Sequence, residues 1–213
     1  MIPFDLVVVG GGAAGFMTAV TAAENGVKRI IILEGSAKLM EKVRISGGGR
    51  CNVTNASWIP NELAENYPRG GIKLLESFNR FAAGDVFDWF EKRGLKLKIE
   101  DDNRVFPISD SSLDVISCLK KNAITKGVEI STKFFVKEIF KTPDNFFNLI
   151  NSEKDSIIAK NIVLSTGGHP SGHKLAKSIG HSIVKTVPSL FTLTTKETKL
   201  NECSGLSIKN IDL

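Results

Sequence analysis

Apolar residues fall into unbroken runs near the start of the chain. Leu6-Val7-Val8-Val9, opened by Asp5, shows no alternation, which is the pattern of a strand buried on both faces. Residues 13–24 carry small and apolar side chains at helical spacing, with Asn25-Gly26 as the C-terminal cap. A second run, Arg29 to Leu33, predicts another strand and ends at Glu34. Strand, helix and strand without alternation predict a parallel sheet and an α/β fold. Further on, helical spacing marks residues 74–81 and 86–92. A clearer helix spans Ser111 to Lys126, with Ser111 as N-cap, Asp114 in the acidic first turn and Gly127 at the end. Strands are predicted at Val128–Ser131, Phe134–Phe140, Phe146–Asn151 and Ile157–Ser165, the last two joined through the charged stretch 151–155. A short helix follows, from Gly172 to Ile179. Residues 35–61 read as a segment too polar for the core yet too ordered in its glycines for a linker. From Pro188 the residues are of β type but form no complete unit.

Composition narrows the classes. The 213 residues suit one sizeable α/β domain or one domain and part of another, and 42% hydrophobic with 24% charged residues is ordinary for a globular protein. No apolar run reaches a membrane-spanning length, and no signal pattern precedes the first strand. Cys51, Cys118 and Cys203 are odd in number and form no CxxC, so disulfides and a metal site are not expected and a reducing cytoplasm is. The net charge of +5 comes from scattered lysines such as Lys120, Lys133 and Lys141, which reads as solvated surface and not as a nucleic-acid face.

Gly10-Gly11-Gly12-Ala13-Ala14-Gly15 links the first strand to the first helix, and Glu34 stands nineteen residues beyond Gly15. That is the context of a dinucleotide-binding βαβ unit. Gly10 allows the tight turn, Gly12 lets a pyrophosphate approach the backbone, and Gly15 lets helix and strand pack closely. The phosphates meet the helix N-terminus. The Glu34 carboxylate is expected to accept the ribose hydroxyls and to repel a 2′-phosphate, which favours FAD or NAD over NADP. A glycine turn that merely packs a helix on a sheet would explain one of these glycines and not three.

Two further segments bear on chemistry. Ile162-Val163-Leu164-Ser165-Thr166-Gly167-Gly168 runs an apolar strand into a turn suited to close backbone approach. Alone it is an ordinary strand end; beside the first motif it reads as a second cofactor edge. In Ser46-Gly47-Gly48-Gly49-Arg50-Cys51-Asn52-Val53-Thr54-Asn55, three glycines let main chain lie against a flat ligand, while Arg50, Asn52 and Thr54 offer polar contacts to a ring edge. This stretch, with Gly10–Gly15 and Glu34, resembles the BaiN/YhiN-like flavoprotein family, also called aminoacetone-oxidase-type FAD-binding enzymes. Arg104-Val105-Phe106-Pro107, the Thr-Gly-Gly turn and Pro188-Ser189-Leu190 match the same family.

The resemblance covers essentially the whole chain and implies a non-covalent FAD in a Rossmann-type domain with a mainly parallel sheet plus a β-rich segment, over residues 1–187. It implies that residues 188–213 begin an inserted β-rich substrate domain. It also implies redox chemistry on a small organic substrate, with NADH or NADPH as a transient donor. The expected cofactor-binding positions are Gly10, Gly12, Ala13, Ala14, Gly15, Glu34, Gly35, Lys42, Ser46, Gly47, Gly48, Arg50, Cys51, Asn52, Val136, Thr166, Gly167 and Gly168. The His169-Pro170-Ser171-Gly172-His173 segment is shorter than the family's linker. The family's chains are about twice as long and return to the first domain with a flavin-covering segment. With Ile211-Asp212-Leu213 reading as the start of a strand, the expectation is the front portion of a longer protein or a truncated gene product, binding flavin weakly.

Catalytic groups are less legible. Arg50 and His169 are the candidates, His169 as a general acid beside the Thr-Gly-Gly turn. A loop histidine without a role is the plainer reading. Cys51 lacks a resolving cysteine, so a packed thiol is expected and not a redox one. The alternatives to an oxidoreductase are a non-catalytic nucleotide-binding fragment and a tRNA-modification-type flavoprotein. Metalloprotease, phosphoryl-transfer and hydrolase motifs do not occur.

Overall fold

The computed structural model describes residues 2–187 and Lys196. Met1–Ser182 form one compact unit, and Ile183–Leu213 group separately. Residues 183–187 carry no regular element. The β-type stretch expected from Pro188, the Pro188-Ser189-Leu190 match, Cys203 and the strand expected at Ile211 lie outside the described residues.

The elements are β1 (Phe4–Val9), α1 (Ala13–Glu24), β2 (Ile30–Leu33), α2 (Glu41–Ile45), a 3-10 turn (Ser46–Gly49), β3 (Thr54–Asn55), α3 (Pro60–Glu65), α4 (Gly71–Phe78), α5 (Ala83–Glu91), β4 (Leu97–Ile99), β5 (Arg104–Pro107), α6 (Ser112–Thr125), β6 (Glu129–Ser131), β7 (Val136–Lys141), β8 (Phe147–Asn151), β9 (Ser156–Leu164) and α7 (Pro170–Ser178). Among the described residues they build a six-stranded sheet, ordered β6-β2-β1-β9-β8-β7, and a three-stranded sheet, β3-β5-β4. The β6-β2-β1-β9 part is parallel, and β7–β9 form an antiparallel meander on its side. This is the Rossmann-type fold expected from the sequence, mainly parallel sheet and β-rich segment included.

The unbroken apolar runs have a direct cause. Alternate residues of β1 and β2 enter different cores: Leu6, Val8, Ile30 and Ile32 pack beneath α1 and α6, whereas Val7, Val9, Ile31 and Leu33 pack with Leu149, Ala159 and Leu175. Both faces are covered, so neither strand has a polar side. Each such side chain taken fully from water contributes about 1.5–3 kcal/mol before entropy is counted.

The expectation that residues 35–61 are too polar for the core is corrected. Met40, Val43 and Cys51 are buried in the first core. Met40 adopts a positive φ of 56° at the start of α2, and its N–H donates to the Gly11 carbonyl at 3.0 Å. Ser112 Oγ donates to the Arg44 carbonyl at 2.8 Å and fixes α2 against α6. Single apolar residues in a polar segment are thereby tied down by backbone bonds. Helices α2 and α3 and strands β3, β4 and β5 lie where the sequence predicts no element. The later helices and strands lie within a few residues of their expected limits, and Ser111 caps α6 by accepting from the Leu113 N–H at 3.3 Å.

Candidate functional site

The C-terminal ends of β2, β1 and β9 lie side by side, and their loops open at the place where ligands bind in parallel α/β sheets. Gly10, with φ 115°, turns the chain out of β1, and a Cβ there would lie 2.5 Å from the Ser165 carbonyl oxygen. A Cβ on Gly15 would overlap the Gly10 carbonyl oxygen and stand 2.9 Å from Ser165 Oγ. Helix α1 therefore rests directly on the turn. Ser165 closes it from β9: its N–H donates to the Val9 carbonyl at 2.8 Å, and its hydroxyl lies 3.1 and 3.0 Å from the Val9 and Gly10 carbonyls.

Gly12 differs from these two. It has an ordinary φ of −89°, and a Cβ there would meet nothing within 4 Å among the described residues. It caps α1 without a side chain, and the first turn, which includes Ala13 and Ala14, holds no acid. The positive end of the helix thus faces open space among the described residues, at a residue that no neighbouring atom there requires to lack a side chain. An anionic group against the Gly12 backbone supplies that reason, and the turn fits a dinucleotide pyrophosphate.

Glu34 stands at the end of β2, but its carboxylate does more than await a sugar. Oε2 accepts from the Gly11 N–H and Oε1 from the Ser36 N–H, each at 2.8 Å. One lone pair on each oxygen holds the backbone, which leaves the others for hydroxyl donors. The next residues are fastened from outside. Phe134 N–H donates to the Glu34 carbonyl and Lys133 N–H to the Ser36 carbonyl, both at 2.9 Å. Phe135 lies so near Gly35 that a Cβ there would stand 2.7 Å from its ring. Val136 is buried at the start of β7.

Beyond β9, Thr166 packs into the space left by the missing Cβ of Gly172. Lys42 reaches over from α2, and a Cβ on Gly167 would lie 3.5 Å from its Nζ. His169 is not a loose loop residue. It is the N-cap of α7: its Nδ1 accepts from the Ser171 N–H at 3.2 Å and pairs with Ser171 Oγ at 2.8 Å. Its ring meets Phe135 edge-on, with centroids 6.3 Å apart.

The Ser46–Asn55 stretch leads to the small sheet. Gly47, Gly48 and Gly49 take φ of 56°, 67° and 87°, a sequence of left-handed residues that side chains would strain. Phe106 lies behind Gly47, its Cε1 3.1 Å from a Cβ there, whereas a Cβ on Gly48 or Gly49 would meet nothing within 4 Å among the described residues. Arg50 sits 3.9 Å above the Phe106 ring and donates to Glu100 at 2.6 and 3.4 Å and to Asp110 at 3.3 Å. These carboxylates, Glu100 foremost, raise its already high pKa. The guanidinium expected at a ligand edge is engaged with the small sheet. Asn52 Oδ1 accepts from the Val105 N–H at 3.3 Å, and Thr54 Oγ1 donates to the Ala83 carbonyl at 3.4 Å. Cys51 is buried, and that burial pushes its thiol pKa up, partly offset by a hydrogen bond with Ser46.

Sequence reasoning quoted Ser165 and Phe106 within motifs but gave them no role of their own, and it missed Glu100 and Phe135. Ser165 adjoins the Thr-Gly-Gly turn and was in reach; the others act through residues about 34 to 100 positions away. No cluster of metal-ligating side chains forms among the described residues, and no helix there is long and apolar enough to cross a membrane.

Comparison with known proteins bears on this geometry. The HI0933-like protein Rossmann domain family matches residues 4–213. The chain belongs to this family. The BaiN/YhiN-like resemblance carried by the Ser46–Asn55 stretch agrees with that membership. A 3-dehydro-bile acid delta(4,6)-reductase of Clostridium scindens is 27% identical over 208 residues, covering 93% of this chain and 49% of the relative. A ribosomal RNA dihydrouridine synthase of Escherichia coli is 26% identical over 212 residues, covering 96% of this chain and 51% of the relative. The chain thus spans about half the length of each. The crystal structure of Thermovibrio ammonificans THI4 superposes with a TM-score of 0.58 at 12% identity, over 84% of this chain and 64% of that one, and attests the fold.

Proposed function

We propose that this HI0933-like chain holds one non-covalent FAD and serves in an oxidoreductase that moves a hydride to or from a small organic substrate. The observation that carries the reading is Gly12, where an uncapped helix end meets open space between two glycines that the fold itself demands. Bound there, the FAD would supply the hydride chemistry. The chain's part is to grip and orient: Gly10–Gly15 at the pyrophosphate, Glu34 at the ribose, and the Thr166–Gly168 turn with Lys42 on the other side of the crevice. Gly48 and Gly49 offer a side-chain-free surface for a planar ring. NADH or NADPH is the proposed donor, and the free thiols of Cys51, which is buried, and Cys118, which is half-buried, suit a reducing cytoplasm. Residues 1–187 are the proposed cofactor domain and residues 188–213 the beginning of a substrate domain.

The relatives support this reading, since one is named a bile acid reductase. The other favours a second reading, reduction of a base in ribosomal RNA. The test is to purify the protein, release its chromophore by heat, identify it chromatographically, and reduce the bound form with each nicotinamide. FAD released intact and bleached by NADH or NADPH is the expected result. A folded protein that stays colourless in excess FAD refutes it. Reoxidation by an unsaturated steroid-like ketone but not by RNA supports the first substrate class over the second.

A further inference from the structure

The turn that follows α2 is held largely from outside itself. Between Gly47 and Cys51 only Arg50 has an ordinary backbone; Gly47, Gly48 and Gly49 are left-handed, and so is Cys51, with φ 62°. A left-handed residue that carries a side chain is strained, and it persists only where its surroundings impose it. Within the turn, the Arg50 N–H donates to the Gly47 carbonyl at 3.3 Å and the Cys51 N–H to the Ser46 carbonyl at 3.0 Å. Further restraint comes from the small sheet. Phe106 of β5 is wholly buried, with Gly47 at its Cε1 and the Arg50 guanidinium over its face. Glu100 fixes that guanidinium from the turn between β4 and β5. Its own backbone is tied there: the N–H donates to the Arg104 carbonyl and the carbonyl accepts from the Asn103 N–H, both at 2.9 Å. Glu100 also takes Arg104, whose guanidinium lies 5.3 Å from the same phenyl ring. Arg50, Lys98 and Arg104 face Glu100, Asp102 and Asp110, so the cluster is electrically balanced and the Arg50 charge is neutralised where it stands.

We propose that Glu100 is a positioning residue for the flavin. Among the described residues its carboxylate bonds to Arg50 and Arg104 alone. Through Arg50 it holds residues 46–51 in the shape that presents Gly48 and Gly49 to the planar ring, and it keeps the guanidinium charge off that ring. The inference rests on the FAD reading. Two consequences separate this role from a mere staple of the small sheet. A neutral glutamine grips Arg50 less firmly, so the strained turn opens. It also leaves a guanidinium charge uncompensated in the segment proposed to line the ring, and a nearby cation favours the electron-rich reduced flavin.

The test sets Glu100→Gln, Glu100→Asp, Arg50→Ala and the double variant Arg50→Ala/Glu100→Gln beside Asp102→Asn, which removes an ion pair of the same sheet without touching Arg50. Hydrogen exchange of residues 46–51, followed by mass spectrometry in ligand-free protein, reads the turn. Flavin titration and spectroelectrochemistry read the site, and scanning fluorimetry reads the sheet. Glu100→Gln should speed exchange of the turn and weaken FAD, each about tenfold, and shift the midpoint potential of the bound flavin upward. Glu100→Asp keeps the charge and should restore the potential. Because Glu100 acts through Arg50, adding Glu100→Gln to Arg50→Ala should weaken FAD no further. Asp102→Asn should match wild type in exchange, affinity and potential. A Glu100→Gln protein that loses melting temperature but keeps wild-type exchange, affinity and potential overturns the proposal. So does a Glu100→Gln effect that persists in full without Arg50. A wild-type protein that takes up no FAD refutes the cofactor reading instead, and ligand-free exchange still decides whether Glu100 locks the turn.

Discussion

Gly12 and Gly15 should respond oppositely to one added methyl group. At Gly12 alanine finds an ordinary φ and nothing within 4 Å among the described residues, so no strain arises in the ligand-free protein. Alanine is a poorer N-cap than glycine by about 0.5–1 kcal/mol, and the stiffer unfolded chain returns about 0.4–1 kcal/mol. The two effects cancel to within about 0.5 kcal/mol, below about 2 °C in melting temperature for a domain of this size. At Gly15 the methyl meets the Gly10 carbonyl and Ser165 Oγ, and the first of these is backbone that no rotamer change relieves. Overpacking of about 3 kcal/mol, less about 1 kcal/mol gained in helix propensity, leaves a loss of about 2 kcal/mol and a fall of about 4–8 °C. Binding orders the variants differently. The Gly12 methyl occupies the proposed phosphate position, and losing two charged hydrogen bonds at about 1.5 kcal/mol each weakens FAD on the order of a hundredfold. Differential scanning fluorimetry of ligand-free protein and titration of flavin fluorescence read the two effects separately. A Gly12→Ala protein that binds FAD like wild type, or melts as early as Gly15→Ala, refutes the argument.

Glu34→Ala should lower FAD affinity at least tenfold and also cost melting temperature without ligand, because the Gly11 and Ser36 N–H groups lose their acceptor; scanning fluorimetry with and without FAD checks both. Cys51, buried with a raised thiol pKa, should resist iodoacetamide at neutral pH until the protein unfolds, as read by mass-spectrometric mapping, and rapid alkylation in the folded state would contradict its placement. Asp5, Glu91, Asp102 and Asp110 are held below their ordinary carboxylate pKa values by side-chain bonds, first of all to Lys160, Lys96, Arg104 and Lys98. Their contribution is full above the unfolded values and lost as pH falls through the depressed folded ones, so the melting temperature should be level from neutral pH to about 5 and drop below about 4. A melting temperature that rises below about 4 would overturn that sign.

The parallel part of the fold was legible because burial on both faces writes itself as continuous Val, Ile and Leu in β1 and β2. The glycine turn and Glu34 were legible because their partners lie within one βαβ unit. The small sheet was not, since β4 and β5 have three and four residues and their stability comes from pairing with each other and with Thr54–Asn55. The carboxylate partners of Arg50 were not legible for the same reason. Its partner Glu100 is fifty residues away, and nothing local distinguishes a guanidinium aimed at a ligand from one aimed at a carboxylate. His169 illustrates the limit differently: its capping role depends on Ser171, two residues on, and was readable, whereas its meeting with Phe135 was not.

The clasp of Ser165 on Val9 and Gly10 also sets an order of events in biosynthesis. The first strand leaves the ribosome early, but the hydroxyl that closes its glycine turn, and the strand that flanks its other edge, are made about 155 residues later. Until β9 docks, β1 has an unpaired edge and the turn has only half its walls. Closing so long a loop is a slow, entropy-limited step. The nascent chain must therefore wait with its most ligand-ready motif unfinished, and a finished cradle is a product of nearly the whole Rossmann unit, however local its signature looks in the sequence.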